Sequence, residues 1–347
     1  MRRSCWFDCV WRRSTLFMRA KQKYLTRYAS TAVARQERAR LFEEEEKRQL
    51  KNKTKTEKIK VVVDLHNGSE VNLMMNNKES TPYHCAMHID RSICQRAAVA
   101  LVADELSDMH RSIQATDACS LKFRYFTDDD PSDANTAYWR TTAFVLGSVL
   151  ERAFKEQFDV NLLASSSTDQ MCSVESGSFY YDVRLDNLPE KWHPQPTELR
   201  TLTRIANGRL KTLAEFPFQQ LTIDIDTAQR IFAVDPLKSY LLSQWKEEYN
   251  DVSVYRWADH IDFCLPPLIS KASQIGPFAI TSVHRLRDCW YRFQGVSVPF
   301  TQQINPWTWT VIQEASKTMN SAELPDFDAV SDYLEERYRE RAFSSTS

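Results

Sequence analysis

Residues 137–154 read AYWRTTAFVLGSVLERAF, and their spacing decides the centre of the fold. Ala143, Leu146, Val149 and Leu150 recur at helical intervals, so one face of a helix is turned to a core. An Asp-rich linker, DDDPSDAN at 128–135, precedes it, with Asn135 or Thr136 as the expected N-cap. Arg140, Phe144 and Ser148 follow one another at four-residue steps, which puts them on one side of that helix.

Strands and turns surround this helix. Upstream, IKVVVDL at 59–65 is a β-branched run, HNGSE a turn signal and VNLMM the returning strand. SerThrPro at 80–82 opens a helix expected to run to about Gln95, capped by Ser80 or Thr81. Strands are predicted from Ala97 (AVALVAD) and at 121–127 (LKFRYFT), which completes the pattern of a small β-grasp module. Downstream, SGSFYYDVRLD, LTIDID, HIDFCLPPLI, PFAITSVHRL and YRFQGVSVPF read as strands, and 197–214 as an amphipathic helix. From about Asn305 the chain becomes a helical tail. The mixture predicts α+β: an N-terminal β-grasp module, then an antiparallel-sheet domain with flanking helices.

Charge divides the chain. Of its 347 residues, the first 29 hold eight Lys and Arg against Asp8 alone, so the overall −1 leaves about −8 for residues 30–347. An Arg-rich, acid-poor start with RYASTA near its end reads as a mitochondrial transit peptide over 1–29, cut near Ala29 or Ser30; a basic tail for RNA or membrane is the alternative. The helix-favouring stretch 34–50 has few apolar residues, so it is expected to need a partner or stay solvated. A basic run, Lys47 to Lys60, follows, with Lys51, Lys53 and Lys55 as candidate phosphate contacts. Six glycines and no GxGxxG or GxxxxGK[ST] argue against a phosphate loop. The eight cysteines form no CxxC pair and are read as free thiols. His84 and His88 stand four apart on a helix beside Cys85, yet no Glu follows His84 and no third ligand is evident, so no metal and no cofactor are expected. No run is long enough to span a membrane.

IKVVVDLHNGSEVNL with its Pro-initiated helix resembles the TGS domain of threonyl-tRNA synthetases. The 137–154 helix, GSFYYDVRLD and HIDFCLPPL resemble the editing domain of the same enzymes, whose helix carries HSCAHLLGH, whose next strand carries NGFYYD and whose later loop carries DxCxGPH. The resemblance covers about 57–300 and implies a division into 30–56 (charged helix and linker), 57–127 (TGS-like), 128–300 (editing-like) and 301–347 (helical tail). Beyond residue 300, up to Ser347, neither an aminoacylation nor an anticodon-binding segment is recognisable. Transit peptide, TGS-like and editing-like segments in this order resemble a protein of the mitochondrial large ribosomal subunit.

Aligned on LGS at 146–148, the family's three helix histidines fall on Arg140, Phe144 and Ser148. The later loop keeps Asp262 and Cys264 but has Leu268 in place of its closing histidine, and the pocket lysine falls on Leu241. Editing is hydrolysis of an aminoacyl ester and needs groups that move protons near neutral pH. Phe144 and Leu268 cannot, and Arg140 is a poor base. Cys264 would need a base, for which His260 is the nearest in sequence. The resemblance therefore implies a non-catalytic ribosomal subunit in the mitochondrial matrix, binding ribosomal RNA and neighbouring ribosomal proteins. The alternatives are a trans-editing deacylase and a tRNA-sensing regulator. Further candidate RNA contacts lie in HRLRDCWYR, which sets Arg285, Arg287 and Arg292 beside Trp290 and Tyr291; the aromatics could equally be core. Arg200, Arg204, Arg209 and Lys211 form a second basic helix face.

Overall fold

The computed structural model describes residues 32–51, 57–65, 68–116, 118–155, 158–165, 177–189 and 192–344; the expected transit segment, Lys53 and Lys55 lie outside them. The fold class is α+β with three sheets. In β1 (Lys58–Asp64) Ile59, Val61 and Val63 are buried while Lys58 and Lys60 face out, the period-two pattern of a half-buried strand. It pairs antiparallel with β2 (Glu70–Asn76), Val61 opposite Leu73. After the helices α2 (Pro82–Ile89) and α3 (Arg91–Arg96), β3 (Ala97–Val102), β4 (Glu105–Ser107) and β5 (Ala118–Tyr125) complete a sheet of order β2-β1-β5-β3-β4, with β1 and β5 parallel. Thr81 caps α2, and the His84 ring closes the box by accepting from the Thr81 N–H. The single helix expected to about Gln95 is broken at Asp90, whose extended backbone ends α2 and whose carboxylate caps α3.

The long helix α4 (Ser132–Ala153) is buried on all sides from Thr141 to Leu150, as only a central helix can be. It starts three residues ahead of the expected cap, after Pro131, because proline suits a helix start and cannot continue one. One face packs on an antiparallel sheet of β6 (Asp159–Ser165), β7 (Phe179–Asp186) and later strands β12 and β11. Between these come α5 (Pro196–Thr212), β8 (Gln219–Asp224), α6 (Ile225–Ile231), α7 (Pro236–Trp245), β9 (Asp251–Trp257) and β10 (His260–Phe263), with order β10-β9-β8 in the third sheet. The strands β11 (Ile275–Arg287) and β12 (Trp290–Pro299) follow, then α8 (Pro306–Ala315) and α9 (Phe327–Ser344). Helix and sheet meet closely at Gly147, where an added Cβ would lie 2.6 Å from the Tyr181 ring.

Two charged segments are docked through a few buried residues. The helix α1 (Ala32–Lys51) buries Ala34, Arg38, Phe42 and Glu45. Phe42 joins the apolar cluster of Ile223, Ile231 and Val254, and Arg38 pairs with Glu151 and Asp235. Of the two expectations, a partner or solvent, the described residues show the first: the anchors of Arg38 are acids more than a hundred residues away. In the tail, Val330 and Leu334 of α9 pack with Leu237 and Trp290. Among the described residues no helix is long and apolar enough to cross a membrane.

Candidate functional site

The resemblance directs attention to the inner end of α4, the β10 strand and the loop after it. Phe144 is 1% exposed, its ring held edge-on by Phe218, Tyr255 and His260, the last at 4.9 Å between centroids. Ser148, one turn on, is sealed, and its hydroxyl has no hydrogen-bond partner among the described residues. Arg140 is half-buried and donates to the Pro266 carbonyl at 2.5 Å. Leu268 is buried, and its backbone N–H donates to Asp108 at 2.8 Å. The Tyr255 hydroxyl donates to the same carboxylate. Thus Phe144, Ser148 and Leu268 are buried and Arg140 is half-buried, and Phe144, Arg140 and Leu268 are each held by packing or by a hydrogen bond to the framework.

Asp262 and Cys264 lie beside them, joined by a cation that the alignment missed. Lys238 of α7 stands against Asp262: its ammonium is 2.7 Å from Asp262 Oδ1 and 2.7 Å from the Tyr181 hydroxyl. Leu241 is only half-buried and packs with Tyr240 and Leu237. The Tyr181 hydroxyl in turn donates to Asp262. Burial pushes the Asp262 carboxyl up, but Lys238 and the other donors bring it below its ordinary value, so it is an anion. Sequence offered one signal for Lys238, its place two residues after the capping Asp235 and Pro236, which turns it inward in the first helical turn.

A nucleophile without a base is the result at Cys264. Burial, and then Asp262 and Asp108, raise its thiol well above the ordinary value, so it stays protonated. His260, the one nearby imidazole in sequence, is committed elsewhere: its Nδ1 lies 2.8 Å from Glu151 Oε2, and Arg38 holds the same carboxylate. Burial draws His260 down to about 3, so at neutral pH the ring is uncharged and its Nδ1–H donates to Glu151.

The proposed RNA contacts are divided by the structure. Lys51 is exposed at the end of α1. Arg285 and Arg287 are exposed, Arg285 donating to the Asp288 carbonyl and Arg287 paired with Asp328 at 2.8 Å. Arg292 is corrected: it is fully buried, grips Asp182 with two bonds of 2.8 Å, and donates to the carbonyls of Asn320, Ala322 and Glu323. Trp290 and Tyr291 are buried too, so the aromatic half of HRLRDCWYR is core. No alternation along β12 could have placed Arg292, since the strand is buried at every position but Val298, which is half-buried. His84 and His88 are exposed on α2, and among the described residues no cluster of three His, Cys, Asp or Glu could hold a metal.

No family model matches the chain. Mitochondrial threonine–tRNA ligases do match: that of Rattus norvegicus is 27% identical over 281 residues, 78% of this chain and 36% of the enzyme, and that of Homo sapiens is 27% identical over 283, with the same shares. The class is therefore that of proteins sharing about a third of such a synthetase. Large ribosomal subunit protein mL39 of Drosophila melanogaster is 32% identical over 320 residues, 89% of this chain and 92% of the relative. The chain belongs to the family of large ribosomal subunit protein mL39.

Proposed function

We propose that the chain is a non-catalytic structural component of the mitochondrial large ribosomal subunit, held in the matrix and contacting ribosomal RNA and neighbouring ribosomal proteins. Residues 57–127 are read as a TGS-like β-grasp module, 128–300 as an editing-like domain, and 1–29 as a transit peptide. The mL39 relationship supports the ribosomal part of this reading. The observation that carries the non-catalytic part is the buried Lys238–Asp262–Tyr181 cluster, closed by its own hydrogen bonds, with Phe144 buried in the same apolar core as Tyr181. A general acid–base group contributes ~10²–10⁴ to such a rate; here His260 is turned to Glu151, and Asp108, which burial raises to about 6, has its oxygens taken by the Tyr255 hydroxyl and the Leu268 N–H. Lys51, Lys53, Lys55, Arg285 and Arg287 are retained as RNA contacts.

Two measurements test this. On a sucrose gradient of mitochondrial lysate, the chain should migrate with the large subunit at moderate salt; a chain left at the top of the gradient would end the ribosomal reading. In a deacylation assay on mischarged seryl-tRNA, the purified chain should not exceed the buffer rate, and Cys264→Ala should behave identically. Turnover abolished by Cys264→Ala would establish the deacylase instead.

A further inference from the structure

The outer edge of the first sheet is open. In the order β2-β1-β5-β3-β4, β2 has β1 on one side, and among the described residues no strand pairs with the other. The register fixes where its backbone groups point. Lys58 faces Asn76 and Val61 faces Leu73. Continuing that ladder at both ends, the Asn77 N–H donates to the Glu57 carbonyl at 2.8 Å and the Leu65 N–H to the Ser69 carbonyl at 2.9 Å, so the odd-numbered residues are the ones bonded to β1. Antiparallel bonds alternate along a strand, so the N–H and C=O of Glu70, Asn72, Met74 and Asn76 point outward. Asn76 bears this out: its N–H donates to the Ser80 hydroxyl at 3.0 Å and its carbonyl accepts from the Ser80 N–H at 2.9 Å. No described residue covers Glu70, Asn72 and Met74 in that way, and all three are exposed, Met74 to 63%.

Natural sheets guard such an edge with a short strand, lysine, proline or a bulge. β2 is seven residues long, has no Lys or Pro, and pairs with β1 without a register shift. The apolar layer on its core face also stops short: Ile59, Val61 and Val63 are sealed, whereas Val71 and Leu73 beside them are half-buried. We infer that β2 receives an extended segment of a neighbouring ribosomal protein as a further strand of this sheet. The inference rests on the ribosomal reading for the source of that segment. The backbone groups of 70, 72 and 74 dictate its conformation, and Val71 and Leu73 call for apolar residues at every second position. Glu70 is the single charge of β2, and its ladder partner Asp64 is paired with Lys122 at 3.2 Å. A Lys or Arg on the incoming strand answers Glu70. A second copy of β2 fits less well, since that strand holds no cation, and RNA fits less well still, since its phosphates would meet a carboxylate.

The test is amide hydrogen exchange of the full chain, free and within the large subunit. The Asn72 and Met74 amides should exchange fast in the free chain and slow by about ten-fold or more in the subunit, while those of Leu73 and Met75, bonded to β1, are slow in both. Asn72→Pro removes one outward N–H and leaves every bond to β1 in place, so the variant should melt like wild type. In large subunits assembled from equal amounts of the two chains, wild type should outnumber Asn72→Pro several-fold. Where the proline lowers the melt, the exchange comparison decides alone. Equal incorporation of a variant that melts like wild type would overturn the added strand. So would protection already present in a free chain that sediments as a dimer, which puts a second copy on the edge. A wild-type chain that migrates with the large subunit while its Asn72 and Met74 amides stay fast removes this inference alone; one left at the top of the gradient removes the ribosomal reading and this inference with it.

Discussion

The Lys238 ammonium sits 2.7 Å from Asp262 Oδ1, with each side chain 3% exposed. Buried pairs of this kind are costly to split, because the survivor stays charged in a poor dielectric. Lys238→Met should therefore lower unfolding free energy by about 3–5 kcal/mol in urea titrations. Lys238→Met with Asp262→Leu should recover most of it. Losses that simply add across the two single variants would show that the two charges are not coupled.

His260 gives stability a pH dependence of known sign. Its folded pKa is depressed to about 3 by burial, against about 6.5 in an unfolded chain. Between these values the unfolded state takes up a proton that the folded state refuses, so stability falls as pH drops below about 6.5. At pH about 5 the loss from this group alone is roughly 2 kcal/mol. His260→Gln should remove that part of the slope, whatever it does to stability at pH 7. Parallel pH profiles for the two proteins would contradict the buried neutral ring.

Two helical glycines should respond oppositely to the same substitution. Gly147→Ala drives a Cβ to 2.6 Å from Tyr181, a ring tied in place by Lys238 and Asp262, so it cannot yield. Overpacking of this type costs about 1–3 kcal/mol. Gly208→Ala meets nothing within 4 Å and should stabilise by roughly 0.5–1 kcal/mol through helix propensity. Thermal melts of the two variants should shift in opposite directions; a rise for Gly147→Ala would contradict the close approach of α4 to β7.

Arg292 ties the segment before α9 to the sheet. Its bonds to Asp182 and to three carbonyls from 320 to 323 vanish together in Arg292→Met, which leaves Asp182 buried and unpaired. A loss of about 3–5 kcal/mol should follow, together with new protease cleavage between 318 and 328. Arg292→Lys should protect little, since one ammonium cannot serve a fork and three carbonyls. An unchanged digestion pattern in Arg292→Met would show that the segment is held elsewhere.

Local signals were legible in the chain, and long-range charge was not. The spacing of Ala143, Leu146, Val149 and Leu150 located the central helix, and the SerThrPro sequence located the cap at Thr81, because both depend on neighbours within one or two turns. Lys238, Arg38 and Arg292 escaped for a shared reason: each is buried against an acid 24 to 113 residues away, and no local period announces such a partner. A buried Lys or Arg looks in sequence like an exposed one, so the basic patch HRLRDCWYR lost a member, and nothing local decided between a partner and solvent for α1.

The docking of α1 also bears on how far the N-terminus can be trimmed. Arg38 is the counterion of Glu151, and Glu151 holds His260. A protease that stopped before Ala32 would leave this relay whole. One that cut past Arg38 would strand the Glu151 carboxylate in the interior with only the neutral His260 ring still against it, so the position of a cut relative to Arg38 decides whether that buried charge keeps its counterion.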